Sequence, residues 1–174
     1  LIMFLVVSYK LGDAFAGRLT TTFLLRHLEF SLVDVGSINK ALGLAASIIG
    51  AIYGGVFVYR FGLYRSLLYF GILQAITNLG FFILSLCEKN YFGLITVIGL
   101  ENLAGGMGTA AFIAFLMNIC NKSFTATQFA ILTAIASLGR VFSGPPSGFL
   151  VENYGWSLFF IFSFFVALPS ILIL

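Results

Sequence analysis

Four long stretches of this sequence contain no charged residue, and they constrain the fold more than any other feature. Each is close to the roughly 20 apolar residues that a helix needs to cross the hydrocarbon core of a bilayer. Only 9% of the chain is charged, against about 25% in a typical soluble domain. The sequence therefore predicts an all-α membrane protein. The four stretches are Ala41–Tyr59, Ser66–Cys87, Asn102–Asn121 and Asn153–Leu174.

The breaks between the apolar runs predict six transmembrane helices. Short connections indicate that consecutive helices are antiparallel. The chain opens on Leu1 rather than on a methionine, and no basic leader precedes the first apolar run, so we expect a fragment of a longer protein. The predicted spans are Leu1–Leu25, Val35–Val58, Ser66–Leu86, Tyr91–Ile119, Thr127–Val151 and Ser157–Leu174.

Basic residues near the span ends predict the orientation in the membrane, since cytoplasmic connections carry an excess of lysine and arginine. The second connection contains Arg60 and Arg65, and the fourth contains Lys122, with no acidic residue in either. We therefore assign these two connections to the cytoplasm. With six spans, both ends of the chain then lie on the cytoplasmic side.

An internal repeat emerges when the chain is offset by about 93 residues. Gly55–Gly62 then aligns with Gly148–Gly155, and each segment ends a glycine-rich span that leads into an aromatic-rich span without charge. The repeat unit is three helices, about 1–90 and about 91–174, and because three is an odd number the second copy is expected to be inverted. Inverted three-helix repeats build each six-helix half of a major facilitator transporter; chance similarity of glycine-rich helices is the alternative.

Such a half would form one wall of a transport pathway. Its expected partners are the lipid bilayer and an N-terminal six-helix half that this chain lacks. The third and sixth spans contain no charged side chain, whereas the other four spans do. We therefore expect the third and sixth spans to face lipid and the other four to line the pathway.

Four ionisable residues lie at similar depths near the middle of their predicted spans. A charge at that depth costs about 2.5–3.5 kcal/mol on insertion scales, so it requires a partner, water or a function. Lys10 could neutralise Asp13, and Arg140 could neutralise Glu101. Alternatively, at least one acid exchanges protons across the membrane, because burial raises the proton affinity of a carboxylate and a nearby cation lowers it. Asp13 and Glu101 are the candidates for proton coupling.

Other polar residues within the spans are candidates for binding a polar, anionic ligand. Lys10 and Arg140 could hold a carboxylate, and Asn39 and Asn102 could form hydrogen bonds with hydroxyl groups. Lys40 could offer a further cation to a ligand that enters from outside. The side chains that could instead extend their charge to the membrane interface are Lys40 and Arg18.

Prolines and small residues are candidates for bending and packing. The sequence Gly-Pro-Pro at 144–146 interrupts the fifth span, and proline removes a backbone donor and kinks a helix. Pro145 could therefore serve as a hinge near Arg140, or it could form a static bend. Glycines four residues apart let neighbouring helices approach closely. The two such pairs are Gly50 with Gly54 and Gly144 with Gly148.

The sequence argues against an enzyme. It lacks the Ser/His/Asp, Cys/His and metal-spaced clusters of catalytic and metal sites, and its single histidine, His27, lies in a predicted outer connection. We expect a secondary transporter that depends on the proton gradient and has no metal and no bound cofactor. The net charge of +3 is scattered along the chain, so it does not indicate a nucleic-acid partner.

Several segments carry a family resemblance that extends from near Ser8 to near Pro169. They are "YKLGDAFAG", "VGSINKALGL", "ENLAGGMGTAAFIAFLMNICNKSFTATQFA", "GRVFSGP" and "GWSLFF". These segments resemble the C-terminal six-helix half of AmpG-type anhydromuropeptide permeases, and the long block that begins at Glu101 is specific to that family. Arg18 departs from the family pattern, where a small or hydroxyl residue is expected.

The resemblance implies proton-coupled import of anhydromuropeptides, which are disaccharides of N-acetylglucosamine and 1,6-anhydro-N-acetylmuramic acid that bear a short peptide. Import would run from periplasm to cytoplasm, across the inner membrane of a Gram-negative bacterium, and would serve peptidoglycan recycling. The alternatives are a facilitator for another solute, such as an acyl-coenzyme or a drug-like compound, and a non-transporting remnant of a half-permease.

Overall fold

The computed structural model describes residues 2–174 and is almost entirely helical; Leu1, the first residue of the first predicted span, lies outside this range. Apolar runs of this length form helices because a helix satisfies its backbone hydrogen-bonding groups internally, as a bilayer requires. In chain order the elements are α1 (Ile2–Ser8), α2 (Leu11–Arg26), α3 (Leu32–Ile38), a π-helical segment (Asn39–Gly43), α4 (Leu44–Phe61), α5 (Leu63–Leu86), α6 (Tyr91–Ile119), α7 (Thr125–Phe142) and α8 (Gly144–Ile173).

These elements form six membrane crossings, which confirms the predicted all-α membrane fold. Four helical stretches are long and apolar enough to cross a membrane: Leu32–Phe61, Leu63–Leu86, Tyr91–Ile119 and Thr125–Ile173. The last stretch has 49 residues, about 74 Å of helix at 1.5 Å per residue. It is kinked at Gly155 and therefore supplies the fifth and sixth crossings. The helices α1 and α2 together supply the first.

Two glycines with positive φ form the turns between crossings at matching places in the chain. Gly62 separates α4 from α5 with φ 87° and ψ 162°, and Gly155 has φ 80° and ψ 174° within α8. Glycine adopts such angles without the steric cost that other residues pay. Gly155 lies 93 residues after Gly62, which is the offset of the predicted repeat. The repeat remains a prediction, and this recurrence of backbone conformation supports it.

The helices α4 and α6 form the most extensive helix pair of the bundle. Their backbones meet at small residues: a Cβ on Gly50 would overlap the carbonyl oxygen of Leu103, and a Cβ on Gly106 would overlap that of Ser47. Gly54 also packs against the α6 backbone. We call this contact, formed by Gly50, Gly54 and Gly106, the α4–α6 seam. Because backbone meets backbone there, the seam has little freedom to adjust.

The second predicted glycine pair does not pack in this way. A Cβ on Gly144 or on Gly148 would meet no heavy atom within 4 Å, so within residues 2–174 the prediction of close packing is wrong for this pair. The offset of 93 residues instead matches the α4 glycines of the seam with Ser143 and Ser147, which are 4% and 1% exposed. One residue of difference rotates a side chain by about 100° around a helix, so the glycines face away from the packed side.

Two clusters of buried apolar side chains lie at different levels of the bundle. On α6, Ile98 belongs to one cluster and Ala111 to the other, and Glu101 falls in the interval between them. On the first crossing, Tyr9 and Phe15 belong to opposite clusters in the same way. The polar residues of both crossings are therefore held in a layer between two apolar ends.

The third crossing keeps its polar residues inside the bundle. It packs mainly against α6 and α8, and Gln74 Nε2 donates a hydrogen bond to the carbonyl oxygen of Ala104 at 3.2 Å. Asn78, one turn further along α5, is 1% exposed. The Gln74 hydrogen bond therefore joins α5 to α6.

Candidate functional site

An open cavity of about 540 Å³ lies in the polar layer. Its walls come from the first, second, fourth and fifth crossings, the four that the sequence predicts to line a pathway, and α5 contributes none of its lining residues. Five ionisable side chains converge there. The polar side chains that line the cavity are Lys10, Asp13, Arg18, Ser47, Glu101, Asn102, Thr109 and Arg140.

The first crossing is interrupted at this cavity. The helix α1 ends at Ser8 and α2 begins at Leu11, and Lys10 occupies the N-cap position of α2 with φ −94° and ψ 1°. Asp13 lies in the first turn of α2, where the helix dipole and unpaired amides stabilise a carboxylate. Lys10 Nζ lies 3.4 Å from Asp13 Oδ2, and the two side chains are 15% and 22% exposed. Lys10 and Asp13 therefore form the ion pair that the neutralisation alternative requires, and proton exchange by Asp13 stays a prediction.

Lys10 also connects α2 to α6. Its Nζ donates a hydrogen bond to Thr109 Oγ1 at 3.0 Å, and Thr109 Oγ1 donates to the carbonyl oxygen of Gly105 at 2.6 Å. An ammonium group has three donors, and these contacts use two of them. Lys10 therefore joins two walls of the cavity and keeps one donor for water or a ligand.

Glu101 lies on the same face of α6 as Gly105 and Thr109, which follow it by one and two turns. Its Oε2 accepts a hydrogen bond from Asn102 Nδ2 at 3.3 Å. Among residues 2–174 the one ion pair is Lys10 with Asp13, so the alternative in which Arg140 neutralises Glu101 is not formed in this conformation. Glu101 is thus the cavity acid that has no cation within ion-pair distance in the described part of the chain.

Asn102 is held from three directions. Ser47 Oγ donates to Asn102 Oδ1 at 3.2 Å, and Asn102 Nδ2 donates to the carbonyl oxygen of Ile98 at 2.9 Å as well as to Glu101. The π-helical segment ends beside this amide, since a Cβ on Gly43 would lie 3.2 Å from Asn102 Nδ2. Such π segments in α-helices are frequent at functional sites. The contacts fix the orientation of the amide and direct its nitrogen toward Glu101.

Arg140 is bound through its backbone and free at its side chain. Arg18 Nε and Nη2 donate to the carbonyl oxygen of Arg140 at 3.2 and 2.7 Å, and Ser143 Oγ donates to the same oxygen at 2.8 Å. Arg18 therefore reaches α7 rather than the membrane interface. The exposed Arg140 side chain lines the cavity without a hydrogen-bond or ion-pair partner in the described part of the chain. Its planar fork of donors matches a carboxylate.

Most of the predicted ligand-binding and proton-coupling residues come together in this cavity. Asn39 and Lys40 do not, because they lie in the π-helical segment, and neither belongs to the cavity lining. Lys40 is exposed there. The predicted residues that the cavity gathers are Lys10, Asp13, Glu101, Asn102 and Arg140.

Three polar lining residues were not among the predicted site residues: Ser47, Thr109 and Arg18, the last of which was expected to extend toward the membrane interface. The sequence could have indicated Thr109, since it lies two turns after Glu101 on one helical face. It could also have indicated Arg18, as a charge in an otherwise apolar run. No sequence feature indicated Ser47, because a hydroxyl group in an apolar helix more often forms a hydrogen bond with its own backbone.

Comparison with known proteins identifies relatives of this chain. The model of the Major Facilitator Superfamily matches residues 2–174. The anhydromuropeptide permease of Escherichia coli strain K12 is 52% identical over 174 residues, which is 100% of this chain and 35% of that protein. The putative transporter AmpG 1 of Rickettsia prowazekii is 35% identical over 174 residues and 39% of its length, and the putative transporter AmpG 4 of Rickettsia conorii is 35% identical over 173 residues and 42% of its length. The family resemblance is confirmed, and the chain spans well under half the length of these relatives.

Proposed function

The chain belongs to the Major Facilitator Superfamily, and from this premise we propose that it forms part of a proton-coupled importer of anhydromuropeptides. The superfamily consists of multi-pass membrane transporters, which confirms the prediction of a transporter rather than an enzyme. The likeness to the permease of Escherichia coli supports the choice of substrate.

The cavity is the observation that carries the proposal. It places three cations and two acids in one open space of about 540 Å³ in the middle of the membrane-spanning bundle. Such charges cost free energy in a bilayer, so they are retained there when they are paired, hydrated or needed for function. In transporters of this fold, substrate and coupling ions bind near the midplane between helices. A polar ligand with an acidic group fits this surrounding.

We assign the acidic group of the ligand to Arg140, whose guanidinium group is free, with Lys10 as a second donor. A hydrogen bond to a charged group contributes about 1.5–3 kcal/mol, enough to select a ligand with a carboxylate. The hydroxyl groups of Ser47 and Thr109 line the same cavity and would contact the sugar. Asn102 is already occupied by Ser47 and Glu101, so we assign it the orientation of Glu101 in place of direct contact with the sugar.

We assign proton coupling to Glu101 and Asp13, which differ in their surroundings. Asp13 shares Lys10, and its charge changes environment if Lys10 turns toward a ligand. Glu101 has a hydrogen-bond donor in Asn102 but no neighbouring cation at ion-pair distance in residues 2–174. The proton gradient is the proposed energy source, without a bound cofactor. The proposed location is the bacterial inner membrane, with both ends of this chain in the cytoplasm.

Uptake tests the proposal directly. The complete gene product is expressed in an Escherichia coli strain from which its own anhydromuropeptide permease has been deleted, and uptake of labelled anhydromuropeptide is measured with and without an uncoupler. We expect uptake above the empty vector that the uncoupler abolishes. Membrane-inserted protein without any uptake would contradict the proposed substrate.

Variants of the two acids test the coupling. Glu101→Gln and Asp13→Asn should each abolish uncoupler-sensitive uptake while the protein remains in the membrane. Glu152→Gln is the matched control, because Glu152 is an exposed acid outside the cavity, and it should transport normally. If both cavity variants import like the control, the acids are structural and the proposed coupling is wrong.

A further inference from the structure

Arg18 binds a single carbonyl group with two of its nitrogens, and that carbonyl group lies at the end of a helix. The helix α7 ends at Phe142, and the last four carbonyl groups of a helix have no partner within it. The carbonyl oxygen of Arg140 is one of these, and its donors are Arg18 on α2 and the hydroxyl group of Ser143. Arg18 therefore caps α7 from a neighbouring crossing.

The helix α7 packs more extensively on α1 than on α2, and few of its residues are buried. Of its 18 residues only Leu132 and Gly139 are buried. Gly139 packs against the first crossing, where an added Cβ would lie 3.1 Å from Leu11 Cδ1. We call the contact formed by Arg18, Arg140, Gly139 and Leu11 the α2–α7 seam. The hydrogen bonds from the Arg18 guanidinium group to the Arg140 carbonyl oxygen are the polar contact of this seam.

Space for movement lies beside this seam. A cavity of about 470 Å³, lined almost wholly by apolar side chains, lies between the first crossing and the junction of α7 with α8. Pro145 and Pro146 follow the junction and have no N–H to donate. The carbonyl groups of Val141 and Phe142 therefore lack the usual helical donors, and the junction can bend without breaking those bonds.

The link formed by Arg18 can be displaced by an anion. A guanidinium group binds an ionised carboxylate more strongly than a neutral carbonyl group, because the opposite charges attract and its planar fork of donors can contact both carboxylate oxygens. Arg18 lines the same cavity as Arg140, so an acidic group that binds Arg140 competes with the α7 carbonyl group for Arg18. The competitor is charged and the present acceptor is neutral, so the competition favours the ligand.

We propose that Arg18 is an anion-operated latch, which holds α7 against α2 in the empty cavity and releases α7 when an acidic ligand group draws the guanidinium away from the Arg140 carbonyl oxygen. The proposal rests on the proposed function in one respect, that the acidic group belongs to the transported ligand. Arg18 is in this scheme a positioning residue for Arg140 and its helix.

Distance measurements between spin labels test the latch. The complete gene product carries Cys87→Ser and Cys120→Ser, with labels on Arg26→Cys of α2 and Val141→Cys of α7. All four positions are exposed or partly exposed. A second label pair, Val56→Cys on α4 and Met117→Cys on α6, reports on the α4–α6 seam, where both side chains are exposed.

Without ligand, Arg18→Gln should lengthen or broaden the α2–α7 distance, Arg18→Lys should give an intermediate distribution, and the α4–α6 pair should not change. Purified anhydromuropeptide should produce the Arg18→Gln distribution in the otherwise unmodified protein. The same compound with its carboxyl groups amidated should not.

Two results would overturn the latch. One is an α2–α7 distribution that is the same in Arg18→Gln, Arg18→Lys and the parent protein without ligand. The other is an equal response to the acidic and amidated compounds. The first result needs no ligand, so a failure of the proposed substrate, seen as absence of uptake by the parent protein, remains distinguishable from a failure of the latch.

Uptake kinetics give a second readout that does not depend on labels. Arg18→Gln should reduce the maximal uptake rate by about tenfold or more, as expected for the loss of a hydrogen bond to a charged group, and Arg18→Lys should recover part of it. Equal rates for the parent and both variants, at equal protein levels in the membrane, would contradict a positioning role.

Discussion

The α4–α6 seam and the α2–α7 seam are related by the predicted repeat, yet they are built in opposite ways. In the first, glycines bring two backbones into contact along most of the shared length. In the second, one glycine approaches the first crossing, an arginine bridges the helices, and an apolar cavity of about 470 Å³ lies alongside. One seam is packed, and the other is held by a polar link.

The sequence offset accounts for this difference at two positions. An offset of 93 residues pairs Ser47 of α4 with Arg140 of α7, and Asp13 of α2 with Gly106 of α6. The backbones of Ser47 and Gly106 meet in the packed seam. Their counterparts are long or charged side chains, which keep the helices apart and line the polar cavity. At two positions of the predicted repeat, a small residue in the packed seam thus corresponds to a charged residue beside the cavity. The packing contact of one seam corresponds to the candidate binding site of the other.

The packed seam should be the less tolerant of a single methyl group. In Gly50→Ala the new Cβ would overlap the carbonyl oxygen of Leu103, and overpacking costs about 1–3 kcal/mol. This loss exceeds the gain of roughly 1 kcal/mol in helix propensity. We expect a clearly lower thermal unfolding midpoint for the purified complete gene product in detergent. Gly55→Ala is the control on the same helix, because its Cβ meets nothing within 4 Å. Equal midpoints for the two variants would show that the seam is not packed as described.

The cavity beside the α2–α7 seam should accept an added group. Val166 lines it, and Val166→Leu adds one methylene that can enter the space. Burial of a methylene contributes at most about 0.8 kcal/mol, so we expect a small rise in the unfolding midpoint together with slower uptake, because the space for α7 is reduced. A large destabilisation would show that the cavity is filled by other parts of the protein.

The glycine of the α2–α7 seam should give the smallest change. In Gly139→Ala the Cβ would lie 3.1 Å from Leu11 Cδ1 and 3.1 Å from the carbonyl oxygen of Val7. A shift of a few tenths of an ångström relieves this contact, and the gain in helix propensity of about 1 kcal/mol offsets the cost. The unfolding midpoint should therefore stay near that of the parent. A loss as large as that of Gly50→Ala would remove the distinction between the two seams.

Hydropathy and charge were sufficient to predict the fold. The six crossings follow from the apolar runs, and the four crossings that line the cavity are those that carry charges. Hydropathy and charge did not predict the places where a crossing is interrupted. The break before Leu11 and the π-helical segment Asn39–Gly43 depend on contacts between distant helices, such as Gly43 against Asn102, which a local pattern does not reveal.

The depth of each residue in the membrane was enough to predict which charged residues form the candidate site. Lys10, Asp13, Glu101 and Arg140 share a level because each lies near the middle of its span. Depth did not determine the partners, since Arg140 was one possible partner of Glu101 and instead presents its carbonyl group to Arg18. The prediction for Gly144 and Gly148 failed for a related reason, because the choice rested on glycine identity rather than on the helical face.

The break in the first crossing has a mechanical consequence. A continuous helix is stiff, so a change of tilt at one membrane surface is transmitted to the other. The interruption between Ser8 and Leu11 reduces that stiffness, so we expect α1 and α2 to change their tilt separately around the Lys10–Asp13 pair.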